Sequence, residues 1–115
     1  MQKIHSEQDF RTKINEEKPT VAVFRTEWCP DCHFLDSFFP GVVSEYADRL
    51  NFIEIDRDEL GDLCYELKIM GIPSFVVFTK SQEIVRFVSK LRKTRAEVTS
   101  FLDRAIEVYQ QLAHS

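Results

Sequence analysis

Short apolar runs alternate along this chain with stretches whose apolar positions recur every three or four residues. Thr20 to Phe24 and Phe52 to Ile55 are compact runs rich in β-branched and aromatic residues, as buried strands are. Ser74 to Phe78 and Ile84 to Val88 read the same way. The polar link Lys80-Ser81-Gln82-Glu83 between them suits an antiparallel hairpin. Helical spacing fills the intervals. Ser6 and Asp9 mark a helix start ahead of Phe10 and Ile14, and Lys18-Pro19 ends that helix. A second helix opens near Cys29 and carries Leu35, Phe38, Phe39, Val42 and Val43 on one side, with Pro40 expected to kink or break it. Leu60, Leu63, Cys64 and Leu67 fall at i, i+3, i+4 and i+7. Thr94 and Glu97 form a capping box for a last helix that buries Val98, Phe101, Leu102, Ala105, Tyr109 and Leu112. This order predicts an α/β domain. Its central mixed sheet has four strands, or five if a short strand forms near residues 3–5, and helices cover both faces.

The 115 residues fit one domain, spanning 1–115. A hydrophobic fraction of 43% with ten Phe supplies a core without disulfide staples or a structural metal. A net charge of -4 is poorly suited to a phosphate backbone, so no nucleic-acid partner is expected. Met1 to Glu7 contains no apolar run of the secretory kind, and no stretch approaches the roughly 18 apolar residues of a membrane span. The expectation is a cytoplasmic protein without membrane contact. The three cysteines, Cys29, Cys32 and Cys64, are an odd number and argue against a disulfide framework.

Trp28-Cys29-Pro30-Asp31-Cys32 follows a strand and opens a helix. A cysteine there lies near unpaired N–H groups and the positive end of the helix dipole, both of which favour thiolate, the nucleophilic form. A second thiol two residues further on can reach the first within one turn. Cys29 is placed to attack a disulfide and Cys32 to resolve the mixed disulfide that results. Pro30 suits a first turn, where its missing N–H costs nothing.

This stretch resembles the thioredoxin family, in which Trp-Cys-x-x-Cys stands at the same place. Gly71-Ile72-Pro73-Ser74-Phe75 is similar to the family's second motif, a cis proline that precedes a strand and faces the cysteines. The resemblance extends through the order of elements over nearly the whole chain. It implies the thioredoxin fold and reversible dithiol–disulfide exchange on protein substrates. It further implies that the backbone of Ile72 pairs with an extended substrate, with Trp28, Ile72 and Pro73 as the apolar surface around the cysteines. No cofactor or metal is implied, since the Cys29–Cys32 pair is itself the redox centre. An electron-donating reductase is an implied partner, and the protein is expected to be a monomer. The pair Pro30-Asp31 differs from the Gly-Pro usual between thioredoxin cysteines and is similar to that of narrower-range relatives. The family's buried Asp, six residues before the first cysteine, is Val23 here. Its lysine partner falls at Phe52, or at Glu54 if the register moves by two, and Ser89 stands where a glycine is usual. These departures bear on the proton of the resolving thiol. They motivate a second reading, a thioredoxin-fold binding or chaperone-like adaptor module with little redox turnover.

Other readings of the same residues differ in weight. Cys29 to His33 also spells the c-type haem attachment pattern, but the strand–helix context and Pro73 point elsewhere. Cys29, Cys32, Cys64 and His33 offer metal-ligand types, yet Cys64 lies on an apolar helical face and reads as a buried structural thiol. Trp28 is expected to be partly exposed beside the nucleophile. His33 reads as a surface helix residue rather than a proton donor. Asp31 is either a helix-terminus acid or a group that opposes the nearby thiolate. Lys90, Arg92, Lys93 and Arg95 read as a solvated basic loop, with a docking site for an acidic partner as the alternative.

Overall fold

A computed structural model describes residues 1–114. The elements run β1 (Gln2–Ile4), α1 (Glu7–Ile14), β2 (Thr20–Arg25), α2 (Pro30–Leu35), α3 (Phe39–Tyr46), β3 (Asn51–Asp56), α4 (Gly61–Glu66), β4 (Ser74–Thr79), β5 (Gln82–Phe87) and α5 (Arg95–Ala113). The strands form one sheet in the order β1-β3-β2-β4-β5. β1 and β2 lie parallel to β3, whereas β4 is antiparallel to both β2 and β5. The sheet is therefore mixed and five-stranded, and the short first strand does form.

β2 is central and nearly every residue in it is buried, which is why its sequence is an unbroken apolar run. Alternate side chains enter two cores. Ala22 and Phe24 join Phe10, Ile14, Leu63 and Cys64 on the face covered by α1 and α4. Val21 and Val23 join Leu35, Phe39, Val42, Val98 and Leu102 on the face covered by α2, α3 and α5. Cys29 and Cys32 belong to the first cluster and Leu35 of the same short helix to the second. α2 thus sits across the end of the sheet, where β2 delivers the cysteines. Among the described residues no helix is long and apolar enough to cross a membrane.

The caps work as the sequence implies. Ser6 Oγ accepts the Asp9 amide at 3.1 Å, and Thr94 and Glu97 close a reciprocal box at 3.2 and 3.0 Å. Pro40 breaks the second helix into α2 and α3, because it has no N–H for the carbonyl four residues earlier.

Three expectations need correction. α1 ends at Ile14, short of Lys18-Pro19. The carbonyls of Ile14 and Glu16 instead accept the amides of Ser81 and Lys80 at 2.8 and 2.9 Å, which ties residues 14–17 to the hairpin turn. That turn has two residues and not four. Lys80 and Ser81 adopt φ of 50° and 68°, the twist of a type I′ turn, so Gln82 and Glu83 enter β5. Leu112 is 46% exposed, because the buried stripe of α5 stops at Ala105 and the helix continues past the sheet.

Phe75 on β4 is fully buried, with the rings of Phe39, Phe87 and Phe101 centred 5.7, 6.3 and 6.2 Å away. Phe75→Ala removes the hub of this aromatic cluster and is expected to cost about 3–5 kcal/mol. Urea unfolding of the two proteins measures it, and a midpoint unchanged by the substitution contradicts this packing account.

Candidate active site

Cys29 is the N-cap of α2, with extended backbone angles, φ -90° and ψ 110°. Its carbonyl accepts the amides of Cys32 and His33, each at 3.1 Å, and its Sγ accepts the Cys32 amide at 3.2 Å. Pro30 occupies the first helical position. α2 has only six residues, so stabilisation of a sulfur anion here comes from first-turn N–H groups more than from a long macrodipole. Cys29 is 5% exposed and Cys32 is 0% exposed. Access therefore falls to Cys29, and Cys32 reaches a substrate only through it.

Burial pushes the Cys32 thiol up to about 12, and its hydrogen bond to the Cys29 sulfur adds to the effect. The Thr26 backbone and the charge of Arg25 act in the opposite direction. Burial chiefly pushes Cys64 on α4 up to about 11, with the Arg57 charge opposing and the Asp56 charge adding to it. Cys64 sits in the apolar core as expected and does not join the pair. Among the described residues no three His, Cys, Asp or Glu side chains converge as a metal site.

A shallow groove passes Cys29. Trp28, Pro30, Met70, Gly71, Ile72 and Lys90 lie along it. Trp28 is 62% exposed, and its indole N–H donates to Asp58 at 2.7 Å, which pins the ring in the groove beside Cys29. The Ile72–Pro73 bond is cis. Ile72 borders the groove but is 7% exposed, Pro73 is buried as well, and the exposed apolar side chains along the groove are Trp28 and Met70. Gly71 packs backbone to backbone on residue 89: a Cβ there would lie 2.3 Å from the Ser89 carbonyl oxygen. The Ser89 hydroxyl turns into its own loop and accepts the Leu91 amide at 3.3 Å.

Val23 on β2 is fully buried and pairs with Glu54 on β3 and Phe75 on β4. The register thus puts Glu54, not Phe52, at the lysine position, and Glu54 pairs outward with Lys3 at 3.7 Å. Neither the carboxylate nor the cation of the family pattern is in place.

The charges near the site come from elsewhere. Arg25, at the end of β2, grips Asp36 through two hydrogen bonds of 2.9 and 3.2 Å. His33 donates Nε2 to the Glu27 carbonyl and Nδ1 to Asp36, the latter at 3.2 Å. With both nitrogens donating, the imidazolium is favoured, and His33 titrates above its ordinary value, chiefly because of the Glu27 carbonyl and then Asp36. The Arg25 guanidinium holds Asp36 below the usual carboxylate range. His33 lies at the surface, where its ring is held by the Glu27 carbonyl and Asp36. Asp31 is held by Arg92 at 2.9 Å, and that guanidinium also stacks 4.4 Å from the Phe34 ring centre.

The basic loop is solvated as expected at Lys90, Arg92 and Arg95, although Arg92 pairs with Asp31 and Arg95 reaches Glu45 at 3.5 Å, and it departs from the expectation at Lys93, which is fully buried. Sequence reasoning missed Arg25, Arg92 and Lys93. A signal existed for Lys93. It directly precedes the N-cap Thr94, a position that commonly packs inward against the residue at Val98.

A family model described as thioredoxin matches residues 1–104 of this chain. Mitochondrial thioredoxin-2 of Schizosaccharomyces pombe is 33% identical over 86 residues, covering 75% of this chain. The chain spans 64% of that relative's length, less than two thirds of it. A thioredoxin of Acidithiobacillus ferridurans is 31% identical over 99 residues, covering 85% of this chain and 90% of its own. Among solved structures, the thioredoxin of Malassezia sympodialis superposes with a TM-score of 0.76 at 27% identity, covering 94% of this chain and 91% of its own.

The charge cluster at α2 gives two opposite pH dependences. The raised His33 value means its contribution to stability is complete below the unfolded value near ~6.5 and is lost as pH rises through the folded one. The lowered Asp36 value means its contribution is present above the unfolded value near ~3.9 and is lost as pH falls through the folded one. The destabilisation of His33→Gln should therefore vanish in alkali, and that of Asp36→Asn should survive in alkali and vanish in acid. Melting temperatures across pH read both, and a penalty for either variant that is flat with pH rejects the network.

Proposed function

The chain belongs to the thioredoxin family, and on that premise we propose that it is a thiol–disulfide oxidoreductase acting on protein disulfides. The observation that carries the proposal is the placement of Cys29. It is the cap of a helix, its sulfur receives a backbone N–H, and it is the cysteine that borders the groove. The Cys29 thiolate attacks one sulfur of a substrate disulfide, forming a mixed disulfide and releasing the other substrate sulfur as thiolate. Cys32 then loses its proton and attacks Cys29 Sγ. The second substrate thiolate leaves, and a Cys29–Cys32 disulfide holds the oxidation. Two electrons pass from the dithiol to the substrate, and no cofactor is required. A reductase restores the dithiol.

The proton on Cys32 is the difficult step, because burial raises its thiol and Val23 offers no base. Forming the mixed disulfide eases it. Two of the influences that raise Cys32, its hydrogen bond to the Cys29 sulfur and the Cys29 charge, disappear once Cys29 is bonded to substrate. Arg25 and the Thr26 backbone remain to favour the anion. In this reading Ile72, which precedes β4 and lies outside its ladder, pairs through its backbone with an extended substrate, and Trp28 and the cis Ile72–Pro73 bond shape the groove. The whole chain acts as one monomeric domain in the cytoplasm, where a dithiol is kept reduced.

The adaptor reading draws on one observation, an apolar Val23 where the family has a buried acid, together with a fully buried Cys32. Insulin reduction with dithiothreitol decides between them. The redox reading expects this protein to accelerate precipitation of the insulin chains, and Cys29→Ser to abolish the acceleration, with a loss of about a hundredfold or more in rate. Parent protein that performs no better than dithiothreitol alone supports the adaptor instead.

A further inference from the structure

Two cations from separate parts of the chain border the groove at Cys29. Arg57 follows β3. Its amide donates to the Arg25 carbonyl at 3.0 Å, which fixes it at the end of β2, and its guanidinium stands 5.9 Å from the Trp28 ring centre. Lys90 follows β5, and its backbone is packed on Gly71, where a Cβ would lie 2.6 Å from the Lys90 nitrogen. Neither side-chain charge forms an ion pair or a hydrogen bond among the described residues. Asp31 is the one carboxylate among the described residues that lines the groove, and Arg92 neutralises it at 2.9 Å. Asp58, next to Arg57 in the chain, accepts the Trp28 indole N–H and does not line the groove. The groove is thus cationic on a chain whose net charge is -4. Partnerless charges at the surface add little to a fold, so stability gives no reason for this pair.

The reaction at Cys29 gives one. A carboxylate beside a disulfide repels the attacking thiolate, and it raises the pKa of the thiol that must leave. Acid-flanked disulfides are therefore poor substrates for an ordinary thiol. Cations fixed around the attacking sulfur offset that repulsion where it acts. The groove also offers apolar surface. Met70 is 72% exposed beside Trp28, and Leu91, adjoining Lys90, is 74% exposed. Apolar side chains together with unpaired cations fit a polypeptide segment that carries both apolar and acidic residues.

We propose that Arg57 and Lys90 are specificity-determining residues, which direct Cys29 to protein disulfides whose cysteines are flanked by Asp or Glu in an otherwise apolar segment. The proposal rests on the oxidoreductase reading for the use of the groove and adds the class of substrate. The exchange itself is unchanged: Cys29 bonds to one substrate sulfur, the other leaves as thiolate, and Arg57 and Lys90 exchange no proton. Their charges act on the encounter and on the first attack.

The test uses three synthetic peptides of one sequence, each with an internal disulfide and with Glu, Gln or Lys on both sides of each cysteine. Reduced protein is mixed with each, samples are quenched in acid, and chromatography gives the rate. Each Glu-to-Gln rate ratio is divided by the ratio found with dithiothreitol, which removes the effect of flanking charge on the disulfide itself. The corrected ratio should be about tenfold at low salt and fall toward one near ~0.5 M salt. Lys90→Gln and Arg57→Gln should each lower it about threefold, and Lys90→Glu with Arg57→Glu should reverse it. Each ratio compares two peptides on one protein, so a general loss of activity or stability cancels. A parent ratio of one or less, or a ratio that survives in both single variants, overturns the proposal. Glutathione disulfide reduced faster than the Glu peptide overturns the assignment to a polypeptide segment. Binding is read apart from chemistry with the same peptides carrying Ser in place of both cysteines, through the fluorescence of Trp28, the only Trp in the chain. The Glu form should bind at least fivefold tighter than the Lys form at low salt, and equal affinities overturn the proposal. Tighter binding of the Glu form without reduction of insulin or of any peptide removes the oxidoreductase reading alone. Insulin reduction without a preference among the peptides removes the roles of Arg57 and Lys90 alone.

Discussion

The Cys29 sulfur receives the backbone N–H that Cys32 turns toward it at 3.2 Å, and that amide is aimed only because α2 begins just after β2 ends. The rest of the structure holds this junction still. β2 is fixed by neighbours on both sides, parallel to β3 and antiparallel to β4, and its side chains fill both cores. Pro40 stops α2 after six residues, so the helix stays across the sheet end instead of running along one face. Gly71 and the cis Ile72–Pro73 bond bring the start of β4 to the same edge. The Cys32 amide is turned onto the Cys29 sulfur by local backbone geometry, and the reach of that sulfur is set by burial. Cys29 has slight exposure and Cys32 has none.

The electrostatics around this junction run against the family pattern. An apolar Val23 stands where the family has a buried acid, Glu54 stands opposite it on β3, and the charge of Arg25 acts on Cys32. With no acid at Val23, the influences that favour a Cys32 anion are the Thr26 backbone and the Arg25 charge, set against its burial. Asp31 and Asp36, the acids closest to the helix, are each held by an arginine, which limits their repulsion of a thiolate.

What was legible in the sequence was local. The cysteine pair, its strand–helix context and the caps at Ser6 and Thr94 are short-range features, and the buried strands appear as apolar runs because both of their faces are covered. What escaped was set by contacts between distant segments. The two-residue turn at Lys80-Ser81 carries neither Gly nor Asn, so its left-handed backbone has no signal in composition. The early end of α1 depends on that same turn, whose amides bond to residues 14 and 16. Lys93 sits in a run of four basic residues that reads as solvated, and its burial follows from the packing of the loop over α2. The grip of Arg25 on Asp36 and of Arg92 on Asp31 spans intervals that no periodicity encodes.

The central claim is that Cys29 and Cys32 form one reversible two-electron couple and that Cys64 stands outside it. Equilibration of the protein in a series of glutathione redox buffers, followed by trapping and mass mapping of every cysteine, tests this most directly. The account predicts one transition with the slope of a two-electron couple, a Cys29–Cys32 disulfide as the oxidised species, and Cys64 as a thiol throughout. A Cys29–Cys64 or Cys32–Cys64 bridge as the main product, or no reversible transition across the series, contradicts it.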